Sequence, residues 1–127
     1  MAKKKILVVD DEVDFKELAK ARLEANGYEV AAVSSGKEAL EYLRINKPDG
    51  VLLDIMMPGI DGLTILKEIR AKNPNLPVFL ITAFSNTERR ELARKFNASE
   101  FILKTDDLQS EIDKISAVID MSAKQKK

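Results

Sequence analysis

Residues 6–12 read "ILVVDDE": Ile6, Leu7, Val8 and Val9 run directly into Asp10, Asp11 and Glu12. Four consecutive apolar residues, three of them β-branched, predict a strand covered on both faces rather than on one. A strand of that kind belongs to the middle of a parallel sheet. The three carboxylates after it repel one another, so the strand also predicts something at its carboxyl end that tolerates or uses negative charge.

The same unit recurs along the chain. Phe15, Leu18, Ala19, Arg22 and Leu23 have helical spacing, and Asn26-Gly27 marks the end of that helix. Tyr28 to Val33 predicts a second strand of mixed polarity, and Ser35 with Glu38 forms a capping box for a helix carrying Leu40 and Leu43. After Pro48-Asp49-Gly50 comes Val51-Leu52-Leu53, ending at Asp54, then the loop "MMPGIDG" and a helix with Leu63, Leu66 and Ile69. Pro74 and Pro77 bracket a turn before Val78 to Ile81, which ends at Thr82. Ser85 and Glu88 form a second capping box, for a helix with Leu92, Ala93 and Phe96, and Asn97 stands where a left-handed cap is wanted. Phe101-Ile102-Leu103 ends at Lys104, and Leu108, Ile112, Ile115 and Ile119 pattern the last helix. Five strands alternating with five helices predict an α/β parallel sheet with helices on both faces, its mixed second strand at an edge.

Composition narrows the chemistry. The 127 residues have the size of one ordinary domain, expected to span 1–127 with a core at about 4–120 between lysine-bearing termini. With 21 basic and 21 acidic side chains the formal net charge is +0, so no bulk polarity recommends nucleic acid or membrane as a partner. The chain has neither cysteine nor histidine, which excludes disulfides, thiolate chemistry, zinc sites built on these residues and Ser-His catalysis. No segment is long enough to span a bilayer, and the apolar run after Lys3 to Lys5 is too short for a secretory signal; a cytoplasmic location is expected.

In an open parallel sheet, ligands bind beyond the carboxyl ends of the strands, where strand order reverses. Four of the five predicted strands end there in chemistry-bearing residues: Asp10 and Asp11, Asp54, Thr82, and Lys104. Taken singly, each has an ordinary explanation: Asp-Asp as a helix N-cap, Asp54 as a turn residue, Thr82 as a cap, Lys104 as a solvated charge. Together at one mouth, the acids predict a cup for a hard divalent cation, for which carboxylate and carbonyl oxygens suit Mg²⁺. Such an ion, a lysine and a hydroxyl can neutralise a phosphoryl group, and a carboxylate can itself accept one as an acyl phosphate.

"ILVVDDE", "VLLDIMMPGIDG", "LITAF" and "FILK", in this order and spacing from about Lys4 to about Ile119, resemble the receiver domains of two-component response regulators, of the stand-alone chemotaxis or phosphorelay type. The resemblance implies a flavodoxin-like doubly wound (βα)5 fold with strand order 2-1-3-4-5. It implies Asp54 as acceptor of a phosphoryl group from the phosphohistidine of a sensor histidine kinase or a histidine phosphotransfer protein. It further implies Mg²⁺ held by Asp10, Asp11, Asp54 and the backbone carbonyl of Met56, Asp11 directly and Asp10 mainly through water. Thr82 and Lys104 would bind the phosphoryl group, and Thr82 and Phe101 would switch the surface of the fourth helix, fifth strand and fifth helix for an unknown downstream protein. Phe101 has core packing as its plain alternative. Such a protein is not an enzyme beyond its own phosphotransfer and slow autodephosphorylation, and is a monomer or a phosphorylation-dependent dimer without direct nucleic-acid or membrane binding.

Two positions depart from the family pattern. Thr105 follows the lysine where proline with a cis bond is usual, and a cis bond to a non-proline residue costs about 2.5 to 4 kcal/mol. Gly50 replaces a large apolar residue, which predicts a weakened start to the third strand. Met56 and Phe84 stand two residues beyond Asp54 and Thr82, where the resemblance implies that hydrolysis rate is tuned; both being bulky and apolar, the expectation is restricted water approach and a long-lived phosphoryl aspartate. Aspartyl-phosphate phosphatases want D-x-D-x-[TV] where this chain has "DDEVD"; a flavin or nucleotide module wants glycines and hydroxyls there. A degenerate receiver, serving only as a docking module, is the remaining alternative. The short stretch after the last helix leaves two expectations, a protein acting alone or a receiver trimmed from a longer regulator.

Overall fold

A computed structural model describes residues 3–56, 62–83, 87–104 and 107–125. Its elements alternate: β1 (Lys5–Val9), α1 (Val13–Ala25), β2 (Glu29–Val33), α2 (Gly36–Ile45), β3 (Gly50–Asp54), α3 (Gly62–Lys72), β4 (Val78–Thr82), α4 (Thr87–Lys95), β5 (Glu100–Leu103) and α5 (Leu108–Gln125). The strands form one parallel sheet in the order β2-β1-β3-β4-β5. The flavodoxin-like order is thus as expected, with the mixed strand β2 at an edge and β3 and β4 buried along their whole length.

Successive strand residues point to opposite faces, so one apolar run supplies two cores. Leu7, Val9, Val51, Leu53, Val78 and Leu80 pack with α3 and with Ala39 and Ala93 of α2 and α4. Ile6, Val8, Leu52, Phe79, Ile81 and Ile102 pack instead with Ala19 and Leu23 of α1 and with Ile112, Ile115 and Ile119 of α5. Leu18, which also fits the helical spacing of α1, stays exposed.

The helix ends obey their local chemistry. Ser35 accepts the Glu38 N–H at 3.1 Å, as the capping box predicts. Asn97 closes the turn after α4 at φ 62°, and Gly27 the turn after α1 at φ 94°. Ser85 of the second capping box lies outside the described residues. The expected weak start of β3 is compensated from far along the chain: a Cβ on Gly50 would stand 3.1 Å from Ile119 Cδ1, so α5 fills the space a larger residue would take.

Arg70 of α3 supplies a tie across the lower end of the molecule. Its Nε donates to the Asn97 carbonyl at 2.9 Å, and its Nη1 donates to the carbonyls of Asn73 (3.1 Å) and Leu76. Burial lowers the guanidinium's pKa, and these carbonyls compensate the desolvated charge.

Candidate functional site

The β1 and β3 ends bring their carboxylates together because β1 and β3 are direct neighbours, paired Val9 to Leu53. Asp10 comes directly after the last residue of β1 and is fully buried; Asp54 ends β3 and is 3% exposed. Each folds its side chain back on its own backbone: Asp10 Oδ1 accepts the Glu12 N–H and Asp54 Oδ1 the Met56 N–H, both at 2.8 Å. Asp11 points outward and is exposed. Oxygens of Asp10, Asp11 and Asp54 nonetheless lie within 4.8 Å of one another, a group that could hold a cation.

Lys104, at the end of β5, crosses the sheet's mouth to reach this cluster. Its backbone N–H is fixed to the Thr82 carbonyl at 2.8 Å. Its Nζ donates to Asp54 Oδ2 and Glu12 Oε1, each at 3.1 Å, and lies 2.9 Å from Asp10 Oδ2. The last contact is an ion pair by distance but lacks the angles of a hydrogen bond. Among the described residues, Asp10 Oδ2 is therefore a buried oxygen without a hydrogen-bond partner.

The charges are unbalanced: one ammonium faces three carboxylates. Burial raises the Asp10 carboxyl from 3.8 to about 6, against the lowering effect of Lys104 and the Glu12 N–H, and the neighbouring Asp54 charge adds to the rise. For Lys104 burial acts downward, but the carboxylates of Asp10, Glu12 and Asp54 outweigh it and hold the ammonium charged. The cluster as it stands wants further positive charge.

Thr82 ends β4 and is fully buried, its register partner in β5 being Leu103. Phe101 lies in β5, half-buried against the α3-side core, and the Arg90 guanidinium sits 4.9 Å from its ring centroid. Met56 is 47% exposed at the rim. Phe84 and Thr105 lie outside the described residues. The structure thus unites Asp10, Asp11, Asp54 and Lys104, while Phe101 stands apart on the neighbouring face.

Three further residues, which sequence reasoning does not single out, shape the site. Glu12 pairs with Lys104, and Phe15 places its ring centroid 4.8 Å from Nζ. Their spacing of three is the available signal, since it puts both on one side of the helix start. Gly62, the first residue of α3, has no room for a side chain: a Cβ would stand 2.4 Å from Ile55 Cα and 2.8 Å from the Asp54 carbonyl oxygen. The helix is seated directly on the backbone that carries Asp54.

This topology, and carboxylates gathered at the switch point of the sheet, agree with comparison to known proteins. The response regulator receiver domain profile matches residues 6–116. The chain belongs to the response regulator receiver domain family. Among sequence relatives, this receiver is 41% identical over 115 residues to the transcriptional regulatory protein ZraR of Escherichia coli (strain K12), covering 88% of this chain and 26% of that protein. It is 37% identical over 102 residues to the probable transcriptional regulator ycf27 of Cyanophora paradoxa, covering 80% and 42%. The receiver therefore spans roughly a quarter to a half of the length of these curated relatives. Among solved structures, the CheY-like receiver domain protein from Methanospirillum hungatei JF-1 superposes with a TM-score of 0.93 at 25% identity, covering 98% of this chain and 99% of that one. The receiver domain of the Francisella response regulator 1452 gives 0.88 at 29% identity, covering 94% and 99%.

Proposed function

We propose that Asp54 is the phosphoacceptor of this receiver, and that the domain, residues 1–127, works as a two-state signalling element in the cytoplasm. The observation that carries this is the placement of Asp54: nearly buried, at the sheet's switch point, with an ammonium on one oxygen and two further carboxylates close by. A carboxylate oxygen of Asp54 attacks the phosphorus of a phosphohistidine on a sensor kinase or histidine phosphotransfer protein. The N–P bond breaks, and the imidazole nitrogen keeps the electron pair and takes a proton. These 127 residues contain no histidine, so the phosphohistidine lies outside this domain.

The residues present fit Mg²⁺. The donor set is oxygen only, and among the described residues the buried Asp10 Oδ2 has no hydrogen-bond partner, only the Lys104 ammonium at 2.9 Å. Asp10, Asp11, Asp54 and the Met56 carbonyl would hold the ion. When bound, it supplies positive charge toward the phosphoryl oxygens. Lys104 pairs with one such oxygen, and the Thr82 hydroxyl binds another.

Output depends on what Thr82 and Phe101 touch. Drawing Thr82 toward the phosphoryl group moves the end of β4, and Phe101 on the adjacent strand lies beneath Arg90 of α4. A groove of about 330 Å³ between α4 and β5, lined by Arg90, Arg94, Ser99 and Phe101 among others, lies where that movement is felt. The α4, β5 and α5 surface is then the one read by a downstream protein or by a second copy of the receiver.

Intact mass after incubation with acetyl phosphate tests the acceptor. Gain of one phosphoryl group by wild type in Mg²⁺, but by neither Asp54→Asn nor metal-free wild type, is the expected result. No gain by folded wild type, with a phosphohistidine donor failing too, would leave the domain a docking module.

A further inference from the structure

We infer that Glu12 and Phe15 are positioning residues for the reaction: together they hold the Lys104 ammonium over Asp54 while its other partners are engaged elsewhere. This role rests on the receiver chemistry proposed for Asp54.

Among the described residues Lys104 Nζ has four close neighbours: Asp10 at 2.9 Å, Glu12 and Asp54 at 3.1 Å each, and the Phe15 ring at 4.8 Å from its centroid. Two of these change during the proposed reaction. The Asp54 carboxylate becomes an acyl phosphate, and Asp10 would be among the residues that hold the cation. A lysine stem has four flexible bonds, and without a further restraint the ammonium would wander as those two contacts dissolve. Glu12 and the Phe15 ring take no part in either change. The quadrupole of the ring attracts the ammonium from one side, and the carboxylate does so from another.

Glu12 is placed for this work. It is the N-cap residue of α1, a position whose side chain ordinarily bonds the helix's free N–H groups. Among the described residues its side chain makes no such bond. Its backbone is pinned instead: Asp10 Oδ1 accepts its N–H at 2.8 Å, and its carbonyl accepts the Lys16 N–H at 3.0 Å. The carboxylate is left to reach Lys104, 92 positions away in sequence. Its side chain is 60% exposed, so the pair adds little to stability, whereas the Lys104 side chain at 12% exposure is shielded and directed.

Two mechanisms predict opposite signs for Glu12→Gln. If Glu12 acted only as a nearby negative charge, removing it would attract an anionic donor, lowering the half-saturating acetyl phosphate concentration with the plateau rate unchanged or higher. A positioning residue predicts a lower plateau rate, about two- to fivefold for a partly exposed partner. That loss should vanish in a Lys104→Ala background, where no ammonium remains to position. Phosphorylation rates against acetyl phosphate concentration in Mg²⁺ for wild type, Glu12→Gln, Lys104→Ala and the double variant give both quantities.

A readout independent of phosphorylation is the NMR signal of Lys104. The wild type should show a slowly exchanging ammonium and ε-methylene protons shifted upfield by the Phe15 ring. Glu12→Gln should broaden the first, and Phe15→Leu should abolish the second. An unchanged plateau rate together with unchanged Lys104 signals in Glu12→Gln overturns the inference and leaves the receiver chemistry standing. Failure of wild type to take a phosphoryl group overturns that chemistry, and the Lys104 signals still decide whether the clamp exists.

Discussion

Asp10 and Asp54 close neighbouring strands with the same local bond, each Oδ1 accepting the backbone N–H two residues on at 2.8 Å, yet their second oxygens differ. Asp54 Oδ2 receives a hydrogen bond from Lys104; among the described residues Asp10 Oδ2 receives none, and Asp10 is buried more completely. The segments beyond the two turns differ too. After β1 the chain enters α1 within three residues and lines the entry with Asp11 and Glu12, whereas the helix after β3 begins farther on and seats Gly62 on the Asp54 backbone. On the proposed chemistry, one local geometry serves two roles. Both aspartates face the Lys104 ammonium, at 2.9 Å from Asp10 and 3.1 Å from Asp54; under the proposed chemistry the one lined by Asp11 and Glu12 would serve the cation, and the one with a helix seated on its backbone would take the phosphoryl group.

Exchanging each aspartate breaks the comparison most sharply. Asp54→Asn should abolish phosphoryl acceptance by intact mass while leaving a Mg²⁺ response in the unfolding temperature. Asp10→Asn should do the reverse in kind: acceptance persists at saturating metal, but Mg²⁺ affinity, measured by titration calorimetry, falls about 10- to 100-fold. Equal effects of the two variants on both readouts would show that the turns are not specialised.

The seat of α3 comes next in size. Gly62→Ala forces a side chain against backbone atoms, and such overpacking costs about 1–3 kcal/mol, measured by chemical denaturation. An unaltered midpoint would mean that α3 slides without consequence for Asp54.

Acid titration probes the crowded aspartate. Its folded pKa of about 6 exceeds the unfolded 3.8, so the metal-free native state holds a proton that the unfolded chain has lost across that window. The associated stability is fully present below pH 3.8 and is lost as pH rises to about 6, by up to about 3 kcal/mol. Other carboxylates superpose their own slopes, so the expected signature is the difference between metal-free wild type and Asp10→Asn, declining from pH 4 to 6 and disappearing in Mg²⁺. The smallest effect belongs to the rim: Met56→Ala, opening water approach beside Asp54, should hasten loss of the phosphoryl group only severalfold in a mass time course.

Local chemistry is legible in the sequence, and distant compensation is not. Apolar runs ending in polar residues mark the strands, and Ser35, Gly27 and Asn97 mark helix ends, because each depends on neighbours in the chain. The apolar pattern puts Tyr28 in β2, but it precedes the strand and is buried with its hydroxyl 2.7 Å from Ser116, 88 positions away. The ordinary alternative for Asp10-Asp11, a helix N-cap pair, applies only in part: Glu12 is the cap residue, and its N–H donates to Asp10 Oδ1 two residues upstream. The loss of bulk at Gly50 is answered by Ile119, and the partners of Lys104 on α1 lie at the other end of the chain. In the site, the converging acids can be anticipated from strand ends alone; which of them the lysine touches cannot.

The tie made by Arg70 has a kinematic corollary. It fastens the carbonyl of Asn97, just past the last turn of α4, to the end of α3 and the turn beyond it. Any displacement of α4 that leaves these bonds intact is a swing about a pivot at its C-terminal end, like a boom on its gooseneck. The nine residues of α4 make a lever about 13 Å long, so a ten-degree swing carries its free end through about 2 Å, and that end is the one nearer Thr82 in the chain.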